Sequence, residues 1–129
     1  MNIHDTLLSV LSGKWESEVL LKRNDFLVRK NVSDTNLYFV VEGSLRIFIE
    51  DETEEHTIRF GYKNSIIAAL DCFLTHKPTQ FYIQALKKSH LKVLSKKHFN
   101  EVMRSSDENK NIWEQMLQVL EYLLRNNYQ

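Results

Sequence analysis

The sequence predicts a mainly β protein, an antiparallel jelly roll (double-stranded β-helix) with a short helix before the roll and a long helix after it. Apolar residues alternate with polar ones from Val19 to Ile49, which is the period of half-buried strands. After an acidic tract at residues 50–55, further strand-like segments run from Ile58 to Ala85. Near both ends of the chain the apolar spacing changes to that of helices.

The composition is that of one compact domain. At 129 residues and 15.3 kDa, with 43% hydrophobic residues, the chain can bury one core and is too short for two domains of ordinary size. Lys plus Arg and Asp plus Glu each number 17, so no net field favours nucleic acid or an anionic membrane.

The sequence predicts a soluble protein of the reducing cytoplasm. Cys72 is the single cysteine, which excludes an intramolecular disulfide and an iron–sulfur cluster held by this chain's cysteines. The segment from Met1 to Ser9 lacks the basic start and long apolar core of a signal peptide. The longest apolar run, Ile66–Leu70, is far too short to cross a membrane.

A short N-terminal helix is predicted first, because Ile3, Leu7, Leu8 and Leu11 share one side of a 3.6-residue period and Gly13 ends the pattern. Strands follow, separated by turns that contain asparagine and by Gly43, where the backbone is expected to adopt an unusual conformation. The acidic tract at residues 50–55 is interpreted as a solvated hairpin tip. The predicted inward strand residues are Val19, Leu21, Phe26, Val28, Leu37, Phe39, Val41, Leu45, Ile47 and Ile49.

Two helices are predicted at the C-terminal end. Ser95 is a suitable cap for a helix that runs to Arg104, and a stop at residues 105–107 precedes the long helix. We divide the chain at this stop, into a roll at 1–104 and a dimerisation helix of the same domain at 105–129. The long helix has more apolar surface than one small roll would cover, which predicts a homodimer. The predicted interface residues are Ile112, Met116, Val119, Leu120 and Leu123.

The order of these segments resembles the cyclic nucleotide-binding domain of the Crp/Fnr regulators. The best-matching segments are Phe26–Arg29, Leu37–Gly43 and Lys77–Ala85, and the overall match covers nearly the whole chain. The resemblance implies a regulatory or sensory module related to transcription regulators, not an enzyme. In that family a winged helix follows the long helix and reads DNA. Because this chain stops at Gln129, no direct nucleic acid binding is expected of it.

The resemblance also implies a ligand cassette, in which a short helix and an arginine hold a cyclic phosphate and a glutamate binds the ribose. The family's Gly-Glu pair falls on Ala68 and Ala69, next to Leu70, and its Arg-Ser/Thr pair falls on Thr79 and Gln80. Losing one partner of a buried charge pair costs about 3–5 kcal/mol. Conventional cyclic AMP binding is therefore not expected, and no cofactor is predicted, although a different small anionic ligand stays open.

The sequence contains other cations that could hold an anion, and it leaves other functions open. Lys63, His76 and Lys77 are the nearest cations that could replace the missing arginine, whereas Arg46 and Arg59 are expected to point outwards. One alternative is a cupin-type metalloenzyme, but the histidines are scattered and form no His-x-His pair, so no metal site is predicted. The other alternative is a dimeric interaction scaffold without a ligand.

Overall fold

The structure is a computed structural model that describes residues 2–127. Within these residues eight strands and four helices follow one another, and the roll lies between a short first helix and a long last one, as predicted. They are α1 (Ile3–Leu11), β1 (Ser17–Leu21), β2 (Phe26–Val28), β3 (Leu37–Glu42), β4 (Ser44–Asp51), β5 (Glu54–Tyr62), β6 (Ile66–Ile67), α2 (Leu70–Thr75), β7 (Tyr82–Ala85), β8 (Ser89–Leu94), α3 (Lys96–Arg104) and α4 (Asp107–Asn127).

The strands form two antiparallel four-stranded sheets, in the orders β1-β8-β3-β6 and β2-β7-β4-β5. One apolar core lies between the sheets, because successive strand residues alternate between the inside and the outside of the roll. Val40, Leu45, Ile83 and Leu91 are completely buried in it. The predicted fold class, an antiparallel jelly roll with flanking helices, is confirmed.

A second core lies outside the roll, where the helices cover one sheet. Its buried helical members are Leu7 and Leu11 of α1, Phe73 of α2, Phe99 and Met103 of α3, and Met116 of α4. Ser95 caps α3 as predicted, since its hydroxyl accepts a hydrogen bond from the His98 N–H. The predicted division at residue 104 falls at the end of α3, and its place as a domain boundary stays a prediction.

The turns adopt the backbone conformations that their residues favour. Asn24 and Asn31 have φ values of 73° and 72°, in the left-handed region that asparagine tolerates. Glu52, with φ 56°, lies at the tip of the β4–β5 hairpin, so the acidic tract is a hairpin as predicted. Within residues 2–127 no helix combines the length and the apolar character needed to cross a membrane.

Gly43 is the glycine on which the join between β3 and β4 depends. Its φ is 118°, and a Cβ placed there would lie 2.1 Å from Ser89 Oγ and 2.6 Å from Ser89 Cα. The Ser44 N–H donates to the same Ser89 hydroxyl, over 3.2 Å. Any side chain at Gly43 would therefore push the join between β3 and β4 away from β8, the strand that contains Ser89.

We predict that Gly43→Ala lowers the free energy of unfolding by about 2–5 kcal/mol, because backbone strain adds to overpacking against Ser89. Gly13→Ala is the matched control: Gly13 also has a positive φ, 75°, but no atom lies within 4 Å of its added Cβ. The control should cost only about 1–2 kcal/mol. Urea unfolding of both variants measures the difference, and equal losses would contradict the steric argument.

Candidate ligand-binding site

The predicted cassette residues before α2 are small or apolar, and the structure separates them. Ala68 is half-buried and lines a cavity, Ala69 is completely buried at the start of α2, and Leu70 is the first residue of that helix. Ala69 provides no side-chain hydrogen bond to the helix. These three residues therefore contribute shape and apolar surface, and no polar group for a ribose.

The two cassette residues after α2 are bonded to an aspartate of the chain itself. Asp71 Oδ1 accepts a hydrogen bond from the Thr79 hydroxyl at 2.6 Å, and Asp71 Oδ2 accepts one from the Gln80 N–H at 2.8 Å. Asp71 Oδ1 also accepts the Cys72 N–H of α2, at 2.7 Å. The Asp71 carboxylate thus accepts hydrogen bonds from the donors that the resemblance assigns to a phosphate. They are an amide of the short helix and the groups at residues 79 and 80.

Asp71 is the site residue that sequence reasoning missed. The resemblance implies a glutamate at the position of Ala69, and Asp71 lies two residues further along. A signal was nevertheless present, because an acidic residue in the first turn of a cassette helix is adjacent to the place where an anion would bind.

The Thr79 hydroxyl, fully buried, also accepts the Phe81 N–H at 2.9 Å, so it is a donor and an acceptor at once.

The surface next to Asp71 is predominantly acidic. A cavity of about 830 Å³ lies there, and Asp71 and Gln80 form part of its wall. Glu50 and Asp51 of the β4–β5 hairpin and Glu121 of α4 also line it, and Arg125 is its one arginine or lysine among the described residues. An anion entering this cavity would approach four carboxylates, which repel it.

A second cavity, of about 640 Å³, lies under α4, and Phe81 lines both cavities. It extends between the edge strands β5 and β6, and α1 and α4 close it. Its walls include the completely or almost completely buried side chains of Ile67, Phe73 and Phe81. Ala68 and Leu70 line this cavity, whereas Gln80 lines the acidic one, so the five predicted cassette residues do not share one cavity.

The cations considered as replacements for the missing arginine lie elsewhere. Lys63 Nζ is 2.8 Å from Glu42 Oε1, and both side chains are exposed. His76 is the residue that caps the C-terminal end of α2, with φ 63°, and the exposed Lys77 follows it. Neither residue lines the acidic cavity. Arg46 pairs across the hairpin with Glu55 at 2.6 Å and lies over the ring of Phe48.

Three polar side chains in or near α2 have pKa values that burial shifts. Burial raises the pKa of the Cys72 thiol, which favours its protonated, unreactive form. Burial also raises the pKa of Tyr38, whose hydroxyl donates to Asp34 Oδ2 at 2.6 Å. Burial lowers the pKa of Lys96, whose Nζ donates to the Phe73 carbonyl and lies 3.7 Å from the centre of the Phe73 ring.

An aromatic junction joins α2 to the C-terminal helices. Phe73 of α2 makes edge-to-face contacts with Phe99 of α3 and Trp113 of α4, with ring centres 5.3 and 6.2 Å apart. Phe99 and Trp113 also meet edge to face, at 5.0 Å. Because such rings interlock, α4 cannot move without repacking α2.

The residues predicted for a dimer interface have unequal surroundings. Met116 is buried and Ile112 half-buried in the chain's own second core. Leu120 is half-buried, while Val119 and Leu123 remain 42% and 39% exposed. All but Ile112 also line the cavity under α4. Their role between subunits stays a prediction.

This fold and the position of the cassette define a class of ligand-sensing domain, and comparison with known proteins identifies the family. Residues 18–106 match the cyclic nucleotide-binding domain family. The chain belongs to that family, which confirms the resemblance to a Crp/Fnr-type domain. No curated protein sequence is similar enough to the chain to match it.

Solved structures share the fold at low sequence identity. The sensor domain of the transcriptional regulator DNR from Pseudomonas aeruginosa has 16% identity and a TM-score of 0.73, over 96% of this chain and 92% of that one. The Thermus thermophilus catabolite activator protein has 16% identity and a TM-score of 0.70, over 95% of this chain and 54% of its own. For the cAMP-bound EAL enzyme Bd1971 the values are 17% and 0.72, over 86% of this chain and 29% of the enzyme. The chain thus spans only part of the regulator and of the enzyme.

We predict that Asp71→Asn lowers the free energy of unfolding by about 1.5–3 kcal/mol, because an uncharged amide cannot accept all of the hydrogen bonds made by the carboxylate. Asp51→Asn is the matched control, an exposed hairpin residue whose change should stay within about 0.5 kcal/mol. Urea unfolding at neutral pH measures both. Equal stability of the two variants would show that the Asp71 contacts contribute nothing.

Proposed function

We propose that this chain is a regulatory module of the cyclic nucleotide-binding family that does not bind cyclic nucleotides in the conventional way. The observation that carries the proposal is the Asp71 carboxylate bonded to Thr79 and Gln80. These positions correspond to the phosphate-binding pair, and the carboxylate supplies the negative charge that a ligand phosphate would bring. A cyclic nucleotide would have to displace Asp71 and leave its charge near a second anion.

The output of the module is proposed to run through α4. Its support is the aromatic junction, which connects Phe73 of the cassette helix to Trp113 of α4. Regulation in such a protein requires two arrangements of a packed element, and a change in the position of α4 would be communicated to α2 through these rings. No catalytic role is proposed, and none of the described residues form a group of three or more His, Cys, Asp or Glu side chains that could hold a metal.

The module is proposed to act as a homodimer, in a reducing cytoplasm, without direct contact to nucleic acid. The support for the dimer is an apolar face on the C-terminal half of α4. Val119, Tyr122 and Leu123 follow the i, i+3, i+4 spacing and are 42%, 61% and 39% exposed. A second copy presents the same face, so two α4 helices can cover each other about a two-fold axis.

The first prediction from this proposal is that cyclic AMP and cyclic GMP at millimolar concentration leave the melting temperature unchanged. A ligand at a hundred times its Kd would stabilise the fold by about 2.7 kcal/mol, a shift of several degrees that a thermal titration would detect. A saturable shift with either nucleotide in the wild type would contradict the proposal.

The contribution of Asp71 is isolated by a pair of double variants. Asp71→Ser with Thr79→Arg removes the internal anion and restores an arginine, and this pair is expected to gain measurable cyclic AMP affinity. Asp51→Ser with Thr79→Arg keeps the internal anion and is expected to gain none. Circular dichroism establishes that both are folded, and equal affinities of two folded variants would contradict the role given to Asp71.

We also predict that Leu123→Asp converts a dimer into a folded monomer, because it places a charge in the apolar face without entering the chain's own core. Light scattering coupled to size exclusion should give about twice the 15.3 kDa chain mass for the wild type and the single chain mass for the variant. Gln118→Asp, at an exposed polar position of the same helix, is the control and should remain dimeric. A monomeric wild type would refute the dimer.

A further inference from the structure

Four connections between strands meet at one end of the roll. They are residues 22–25 between β1 and β2, Gly43 between β3 and β4, residues 63–65 between β5 and β6, and residues 86–88 between β7 and β8. Backbone hydrogen bonds join them. The Asn24 N–H donates to the Ala85 carbonyl at 2.8 Å, and the Leu86 N–H donates to the Ser44 carbonyl at 2.9 Å. The side chains of these connections therefore share one surface.

Five exposed cations lie on this surface, which we call the basic end: Lys22, Arg23, Lys63, Lys87 and Lys88. Lys63 Nζ lies 2.8 Å from Glu42 Oε1, and this hydrogen bond, assisted by the charge of Lys87, lowers the pKa of the Glu42 carboxyl. None of the described residues forms an ion pair with the other four cations. The basic end thus retains a positive charge that its own side chains do not neutralise.

The tip of the β4–β5 hairpin, at the other end of these two strands, is an acidic ribbon that comprises residues 50–55. β7 pairs with β4 only as far as Phe48, and beyond that residue β4 and β5 pair with each other alone among the described strands. The ribbon contains five carboxylates, and all of its residues are exposed. β5 runs from Glu54 in the ribbon to Tyr62 at the basic end, so the two charged regions lie roughly 25 Å apart.

The register of the acidic ribbon places like charges opposite each other. Glu50 pairs with Glu55, and Asp51 pairs with Glu54, directly across the two strands. Carboxylates in such positions repel each other and destabilise the pairing. Arg46 offsets part of this repulsion through its 2.6 Å contact with Glu55. Cations supplied by another molecule would offset the rest, so the ribbon suits a positively charged surface.

The basic end also offers apolar contact area. Tyr62 is 57% exposed and Leu86 37% exposed, and the ring of Tyr62 stacks on that of Phe60 with 6.0 Å between ring centres. Gly61 between the two rings is buried and faces Ile67, so the rings lie on the outer face of β5. A lipid layer that met the turns would leave these rings uncovered, whereas a protein ribbon can contact both.

We propose that the basic end of one copy of the chain binds the acidic ribbon of a second copy, head to tail. Charge complementarity carries the choice of partner, because five cations meet five carboxylates and every chain presents both surfaces. The formal net charge of the chain is zero, so two copies do not repel each other at long range. The contact joins two different surfaces, so it links one subunit to the next and is separate from the pairing of α4 helices.

Sedimentation velocity of the full chain at two salt concentrations tests the contact. At about 10 mM salt, where the Debye length is about 30 Å, the weight-average mass should rise with protein concentration. At about 1 M salt, where the Debye length is about 3 Å, this rise should disappear. Pairing through an apolar α4 face is not screened in this way, so it should persist at both salt concentrations.

Two double variants show whether the two ends bind each other. Lys87→Glu with Lys88→Glu disables the basic end, and Glu52→Lys with Glu54→Lys disables the ribbon. Each variant alone should lose the salt-dependent association, which like charges at the contact weaken roughly tenfold or more. An equimolar mixture should recover it, because the first variant retains an intact ribbon and the second an intact basic end.

Lys14→Glu with Lys97→Glu is the matched control for the basic end. It makes the same change of net charge at exposed positions that precede β1 and follow β8, away from the four connections. This control should associate as the wild type does. Circular dichroism establishes that all variants are folded.

Four results would overturn the inference. A wild-type mass that does not depend on salt means that the contact does not form. Equal losses in the control and in the Lys87 and Lys88 variant mean that net charge, and not the basic end, is responsible. A mixture that fails to associate means that the two ends are not partners. Wild-type chain of constant mass that binds phosphatidylserine vesicles through Lys87 and Lys88 assigns the basic end to lipid. None of these readouts uses a nucleotide, so the proposed function is tested separately.

Discussion

The hydrogen bonding of the Asp71 carboxylate is the constraint on which the cassette depends. It joins the start of α2 to Thr79 and Gln80, which lie just before β7, and so closes the intervening turn at His76 and Lys77. In the cyclic nucleotide sites that the family is named for, an incoming phosphate makes the corresponding links. Here the chain makes them itself, and the cassette keeps its shape without the energy of a bound ligand.

An internal anion also changes what a ligand would have to do. Displacing Asp71 breaks several charge-assisted hydrogen bonds and leaves a carboxylate among Glu50, Asp51 and Glu121. Each such bond is worth about 1.5–3 kcal/mol, so the displacement competes directly with the affinity that a phosphate could gain. The alanines at 68 and 69 have no polar side-chain group to offer a ribose, which acts in the same direction in the proposal.

The roll could be predicted from the sequence because a two-residue period is typical of half-buried strands, but in β3 it indicated the wrong face. Tyr38 and Val40 lie in the core inside the roll, whereas the predicted Leu37 and Phe39 pack in the second core, because the helices cover the outer face of that sheet and both faces are apolar. Asn24, Asn31 and Gly43 likewise identified their turns, since few residues tolerate those backbone angles. Asp71 was missed because its contacts join positions eight and nine residues apart across a turn that sequence spacing does not define.

The apolar spacing of α4 shows how far a helical period can be interpreted. Burial against the chain's own roll and burial against a second copy require the same residue types, so the seam alone does not say which surface covers which residue. In the structure the N-terminal part, with Ile112 and Met116, packs on the chain's own core, and the exposed apolar face begins only at Val119. One helix thus contacts the core, lines the apolar cavity and presents an exposed apolar face. Because Val119 and Leu123 line the cavity and also belong to the exposed face, a change in the cavity alters the surroundings of that face, which is a physical requirement for the regulation proposed for this module.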